Sequence, residues 1–107
     1  MKDFRKLSVW EESHKFTLEI YKLTESFPKK EEYRLISQIV RAASSIPTNI
    51  AEGCGRSTDK DFARFIVIAV GSACEVDYLL ELSKDLGYMD ELNYQKLHNQ
   101  INTIRRM

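Results

Sequence analysis

The residues with the most chemical potential lie in the run Gly53-Cys54-Gly55-Arg56-Ser57-Thr58. Glycines beside a cation and a free helix N-terminus can cradle a phosphate. A cysteine near the start of a helix can be driven toward its thiolate. Each reading lacks its second component. The Walker pattern with its lysine is absent, and the element before the glycines has helical rather than strand periodicity. No base is indicated beside Cys54, as nucleophilic catalysis requires. Capping of a following helix by Ser57 or Thr58 is the simpler role. The two histidines, His14 and His98, lie far apart and neither has a ligand-spaced companion. The paired-carboxylate-plus-Glu-x-x-His pattern of di-iron bundles is missing. The expectation is a chain that is not an enzyme, with no catalytic residue, no metal, no cofactor and no small-molecule substrate.

A second set of polar residues is organised differently. Gln38, Arg41, Ser45, Thr48 and Glu52 recur at three- and four-residue steps, as do Ile36, Ile39, Ala43, Ile46 and Ile50. Gln38 follows Ile36 by two positions, about 200° around a helix, so the polar stripe lies opposite the apolar seam. Such a helix suits two partners, with the stripe in an inward or intersubunit network. Glu75, among apolar neighbours, would need a counter-charge. Arg41 is the natural donor, paired either with Glu75 or with Glu52.

Four helical segments must carry these residues, at about 8–27, 31–52, 58–86 and 90–106, in one domain spanning 1–107. Ser8 with Glu11 has the pattern of a capping box. Pro28 ends the first segment, Gly53 stops the second and Gly87 the third. Pro47 falls inside the second segment, where the in-phase seam favours a kink over a break. Asp90 caps the fourth. Only four glycines and two prolines occur in 107 residues, which disfavours a strand-rich fold. Short connections between long helices point to an all-α, antiparallel up-down-up-down four-helix bundle.

The third segment is apolar on too many sides. Phe62, Phe65, Ile66, Ala69, Ala73, Val76 and Leu80 make one stripe, Ile68, Leu79, Leu82 and Leu86 belong to another, and Val67 and Val70 fill part of the rest. A helix apolar nearly all round is a buried helix, so a subunit contact is expected, with Gly71 between Ala69, Ser72 and Ala73 allowing close approach.

Composition narrows the partners. Sixteen basic residues balance sixteen acidic ones, without the basic excess usual in nucleic-acid modules. The candidate nucleic-acid contacts are Lys29, Lys30 and Arg34, then Arg56, Lys60 and Arg64, then Arg105 and Arg106, with a solvated charged surface as the plainer reading. Two cysteines, Cys54 and Cys74, read as reduced thiols of a cytoplasmic protein. No signal peptide is expected, and the uncharged run Phe65–Cys74 is about half of what a membrane span needs.

Three blocks carry a family resemblance: Phe4-Arg5-Lys6-Leu7-Ser8-Val9-Trp10, the stretch Ser37 through Arg56 with Arg41-Ala42-Ala43-Ser44-Ser45-Ile46-Pro47-Thr48-Asn49-Ile50-Ala51-Glu52-Gly53, and Phe62-Ala63-Arg64-Phe65 with Ile68-Ala69-Val70-Gly71-Ser72-Ala73-Cys74-Glu75. The chain resembles the bacterial four-helix-bundle proteins encoded in intervening sequences of 23S rRNA genes, a family that includes the accessory variability determinant of diversity-generating retroelements. The resemblance covers nearly the whole chain. It implies a homopentameric ring, no enzyme activity and, in the retroelement branch, a basic surface that works with RNA and a reverse transcriptase. It also implies that Arg41, Ser45, Asn49, Glu52, Ser72 and Glu75 are recurring structural positions. With Gln38 they form the expected polar network. The chain departs from the strongly basic retroelement branch in being neutral, and its fourth helix is too short to cover the whole third. The expected function is a non-enzymatic homo-oligomeric scaffold whose partners are its own copies and a macromolecule. The alternative is an RNA- or DNA-binding accessory protein.

Overall fold

The helical periodicities become four helices: α1 (Ser8–Thr24), α2 (Ser37–Cys54), α3 (Asp59–Asp85) and α4 (Glu91–Arg106). The computed structural model describes residues 2–107, and no β-strand occurs among them. The starts of α3 and α4 are set by side-chain caps. Thr58 Oγ1 accepts the Asp61 N–H at 3.1 Å, and Asp90 Oδ1 accepts the Asn93 N–H at 2.7 Å. Past the end of α3, Gly87 takes a φ of +83°, and the next N–H, of Tyr88, reaches back to the Ser83 carbonyl at 2.9 Å. A side chain at that φ would meet its own backbone, which is why glycine stands there.

Other boundaries differ from those expected. α1 ends at Thr24, not Phe27. Glu25, Ser26 and Phe27 each donate to a carbonyl three residues back, a tighter turn that carries Phe27 into the core. The Ser8–Glu11 capping box does not form. A 3₁₀ turn at Phe4–Lys6 leads into the helix, Leu7 is the boundary residue, and its carbonyl takes the Glu11 N–H at 3.1 Å. The second segment opens as a 3₁₀ turn (Lys29–Glu31) and a π turn (Glu32–Ile36), with Arg34 at φ −119°, ψ −105°. Gly53 does not stop α2, which runs to Cys54. Its role is proximity to α3: a Cβ there would lie 3.0 Å from Phe65 Cβ and 3.3 Å from Phe62 Cδ1.

Helix α2 passes through Pro47 without a break. Proline has no N–H, so the Ala43 carbonyl loses its usual donor four residues on. Thr17 of α1 repairs the gap. Its buried hydroxyl lies 3.1 Å from the Ala43 oxygen and 2.8 Å from the Ser13 oxygen, sharing one proton between them. The proline is therefore tolerated at the α1–α2 contact, where a neighbour supplies the missing hydrogen bond.

Gln38 meets Glu75, Ser45 meets Ser72, and Gly53 lies against Phe62 and Phe65, so residue numbers rise along α2 as they fall along α3. Asp77 with His98 and Lys84 with Glu91 repeat that relation between α3 and α4. Phe16, Ile20, Ile39, Ile46, Leu80 and Ile101 are fully buried between the helices. Helix α4 has 16 residues against 27 in α3. Beyond its end a cleft of about 260 Å³ opens between Leu7, Ile50, Phe62, Ile66 and Met107, so part of α3 is left without an α4 neighbour.

Candidate functional site

Two surfaces of α2 and α3 hold the residues singled out above. The first is polar. Ser45 and Ser72 face each other across the helices with their hydroxyls 2.9 Å apart. Asn49 Nδ2 donates to the Ser45 carbonyl at 2.8 Å and to Ser45 Oγ at 2.9 Å, fixing that rotamer. Farther along the same face, Gln38 Nε2 donates to Glu75 Oε2 at 3.4 Å. These contacts gather Gln38, Ser45, Asn49, Ser72 and Glu75.

Arg41 and Glu52 stay outside. The Arg41 guanidinium reaches Ser37 Oγ at 3.4 Å, and neither Arg41–Glu75 nor Arg41–Glu52 forms an ion pair. The premise failed because Glu75 is exposed on this face, not buried among apolar groups, and Gln38 is the nearer donor. Gln38, Arg41, Thr48 and Glu52 are exposed and Ser45 half-buried, so the stripe is not an inward network within the chain.

The upper part of this face is a cleft of about 440 Å³ between the π turn, α2 and α3, with Tyr33, Arg34, Gln38, Arg41, Ser72 and Glu75 on its walls. Tyr33 and Arg34 enter it because the chain kinks at Arg34, whose φ of −119° and ψ of −105° are not helical, ahead of Ser37. Tyr33 is 88% exposed. Sequence reasoning missed its place here, since no local pattern signals a π turn.

The second surface is apolar. Along the outside of α3, Val67 is 70% exposed, Tyr78 60%, Ile68 46% and Val70 40%, with Gly71 and Cys74 between them. No atom outside its own helix lies within 4 Å of a Cβ built at Gly71. The surplus apolar face of the third helix is thus bare in the single chain.

A third cluster joins α3 to α4. His98 Nδ1 and Asp77 Oδ1 are 2.7 Å apart, and Asn102 Nδ2 is 3.1 Å from His98 Nε2. A carboxylate can only accept, so Nδ1 carries the proton and Nε2 accepts from Asn102. Arg105 donates to Asn102 Oδ1 and lies 3.9 Å from Asp77 Oδ2 and 3.6 Å from Cys74 Sγ. Both ring nitrogens are engaged, leaving neither to act as a base toward Cys74. The 98/102/105 spacing on one face of α4 was readable in advance; the partner Asp77, on another helix, was not.

In the glycine run the one thiol is withdrawn from solvent. Cys54 ends α2, is 1% exposed, and burial pushes its thiol up, against the partial pull of Lys2. That overturns the idea of a thiol activated by the next helix. The α3 N-terminus is already capped by Thr58 and carries Asp59 and Asp61 in its first turn, which repel an anion. His14 is exposed and stacks on Trp10 with ring centroids 5.0 Å apart. Among the described residues no group of three His, Cys, Asp or Glu could hold a metal ion. No helix among them is long and apolar enough to cross a membrane.

The candidate nucleic-acid contacts fall at two ends. Lys29 and Lys30 sit exposed beside the α1–α2 connection, near Arg34. At the other end, Lys2 N–H donates to the Cys54 carbonyl and its ammonium lies 3.8 Å from Asp59, bringing the start of the chain onto the α2–α3 connection. Arg56 lies over the Phe65 ring at 4.7 Å, Arg64 is 4.0 Å from Asp61, and Lys60 and Arg106 are exposed.

No curated protein matches the chain. A crystal structure described as a protein with unknown function from the S23 ribosomal protein family of Bacteroides thetaiotaomicron superposes with a TM-score of 0.85 at 27% identity, over 92% of this chain and 88% of that one. The blocks that carried the resemblance lie almost wholly within residues 5–107, where the sequence matches the model of one family. The chain belongs to the 23S rRNA-intervening sequence protein family.

Proposed function

We propose that the chain is a non-enzymatic scaffold: an antiparallel up-down-up-down four-helix bundle, bent at Pro47, that assembles in the cytoplasm into a homo-oligomeric ring of five copies and presents it to a macromolecular partner. The observation that carries this reading is the bare apolar face of α3 around Val67, Val70, Gly71, Cys74 and Tyr78. Contiguous exposed apolar surface on a small domain marks a protein contact, and Gly71 lets a second helix approach closely. The rise and fall of paired residue numbers supports the antiparallel order. The number of copies comes from the family resemblance. A Val67→Glu variant places a charge in the contact. Light scattering of the unaltered chain should give several chains per particle, and the variant should give one. A single-chain mass for the unaltered protein would end this reading.

RNA binding by an accessory protein is a second reading. What speaks for it is that Lys2, Arg56, Lys60 and Arg64 lie about the α2–α3 connection, although Lys2 and Arg64 face Asp59 and Asp61 and the chain is neutral as a whole. Filter binding at low salt tests it, because phosphate attraction is strongest there. Retention that is absent at low salt would dismiss it.

A further inference from the structure

We propose that the polar cleft between the π turn, α2 and α3 binds a small phosphate monoester that carries a planar ring. Its volume of about 440 Å³ is in the range of small-molecule sites and is larger than an inorganic ion needs. Its charge favours an anion: Arg34 and Arg41 outnumber the single carboxylate, Glu75. Both guanidiniums have donors to spare. Arg41 is held only by a long contact to Ser37, Arg34 makes no ion pair among the described residues, and Glu75 is engaged by Gln38. The planar donor fork of arginine matches the oxygens of a phosphate.

The floor of the cleft adds hydroxyls. The Ser45–Ser72 pair uses one of its two protons between the two oxygens and leaves the other for an acceptor. Ser37 and Ser45 stand about 12 Å apart along α2, so the phosphate group belongs at the end where Arg34, Arg41 and the Ser37 hydroxyl lie, with the Ser45 and Ser72 hydroxyls toward the rest of the ligand. At the mouth Tyr33 presents a ring that is 88% exposed and packs on no other aromatic group, a free face for a planar partner. The carboxylate of the cleft, Glu75, is engaged by Gln38, and the ligand is held and not transformed.

Calorimetric titration of the full chain at low salt tests this with AMP, adenosine and inorganic phosphate as separate arms. AMP should bind saturably, and adenosine at least about tenfold more weakly, since it lacks the charge-assisted contacts. Arg34→Gln and Arg41→Gln should each weaken AMP by about tenfold. Tyr33→Ala should weaken AMP and leave phosphate unchanged. The proposal is overturned if AMP binds no better than adenosine, or equally well to the double arginine variant. It is also overturned if that double variant changes the particle mass in light scattering, because the arginines would then belong to a contact between copies.

Discussion

Substituting Thr17 by Val tests why a proline is tolerated inside α2. The two side chains are nearly isosteric, so the change deletes a hydroxyl and little else. The Ala43 carbonyl is fully buried, lacks its donor at position 47, and has Thr17 Oγ1 at 3.1 Å. Leaving a buried acceptor unpaired costs about 1–3 kcal/mol. The Ser13 carbonyl, the other acceptor of the same hydroxyl, keeps its backbone donor within α1, so the cost falls on Ala43 alone. In a Pro47→Ala background the new N–H at position 47 can serve Ala43, and Thr17→Val should then cost about 1 kcal/mol or less. Urea unfolding of the four chains, at one fixed concentration because assembly adds to apparent stability, gives the coupling as a double-mutant cycle. An equal cost of Thr17→Val in both backgrounds would refute the link between the threonine and the proline.

Gly53→Ala gains about 1 kcal/mol of helix propensity, but its Cβ would lie 3.0 Å from Phe65 Cβ, and overpacking costs about 1–3 kcal/mol; a net loss in urea unfolding is expected. Gly71→Ala has open space, so the same propensity should stabilise the single subunit by up to about 1 kcal/mol, while light scattering should show weaker assembly because the added methyl separates the helices in contact. Tyr88 donates to Glu31 at 2.7 Å, and that hydrogen bond to the carboxylate, aided by burial, raises its pKa above 10.0. A raised folded value favours the protonated phenol, so its stabilising effect is full below pH 10.0 and is lost as pH rises through the raised value. Tyr88→Phe should flatten part of the alkaline fall in melting temperature, with Tyr94 and Cys54, both raised by burial, among the groups that keep the rest.

The helix ends that were legible are those decided by one residue and its near neighbours. Thr58, Asp90 and Gly87 act through hydrogen bonds within five residues, and each does what its type and position indicate. The π turn was illegible because its cause is distant. Glu31 is buried against the Tyr88 hydroxyl, and Phe27 packs on the Tyr88 ring with centroids 5.4 Å apart, so the α3–α4 connection governs how the second segment begins. Gly53 shows the same limit in another form: a glycine near a helix end reads as a stop, while here the backbone of α2 needs it to meet Phe65.

The candidate site was legible as a pattern and not as a set of pairs. Period alone put Gln38, Arg41 and Ser45 on one face, and the surplus oil of the third helix is the bare strip from Val67 to Tyr78. Which donor meets Glu75 depends on the relative slide of α2 and α3, which no single-helix periodicity contains. The Asp77–His98–Asn102–Arg105 cluster is half visible on α4 and completed only by packing.

Light scattering of the purified chain, alongside Val67→Glu, is the most direct test of the assembly proposal. A particle of five chains that falls to one chain in the variant, with the helical content of both unchanged, is the predicted result. A single-chain mass for the unaltered protein, or a mass unmoved by Val67→Glu, would contradict it.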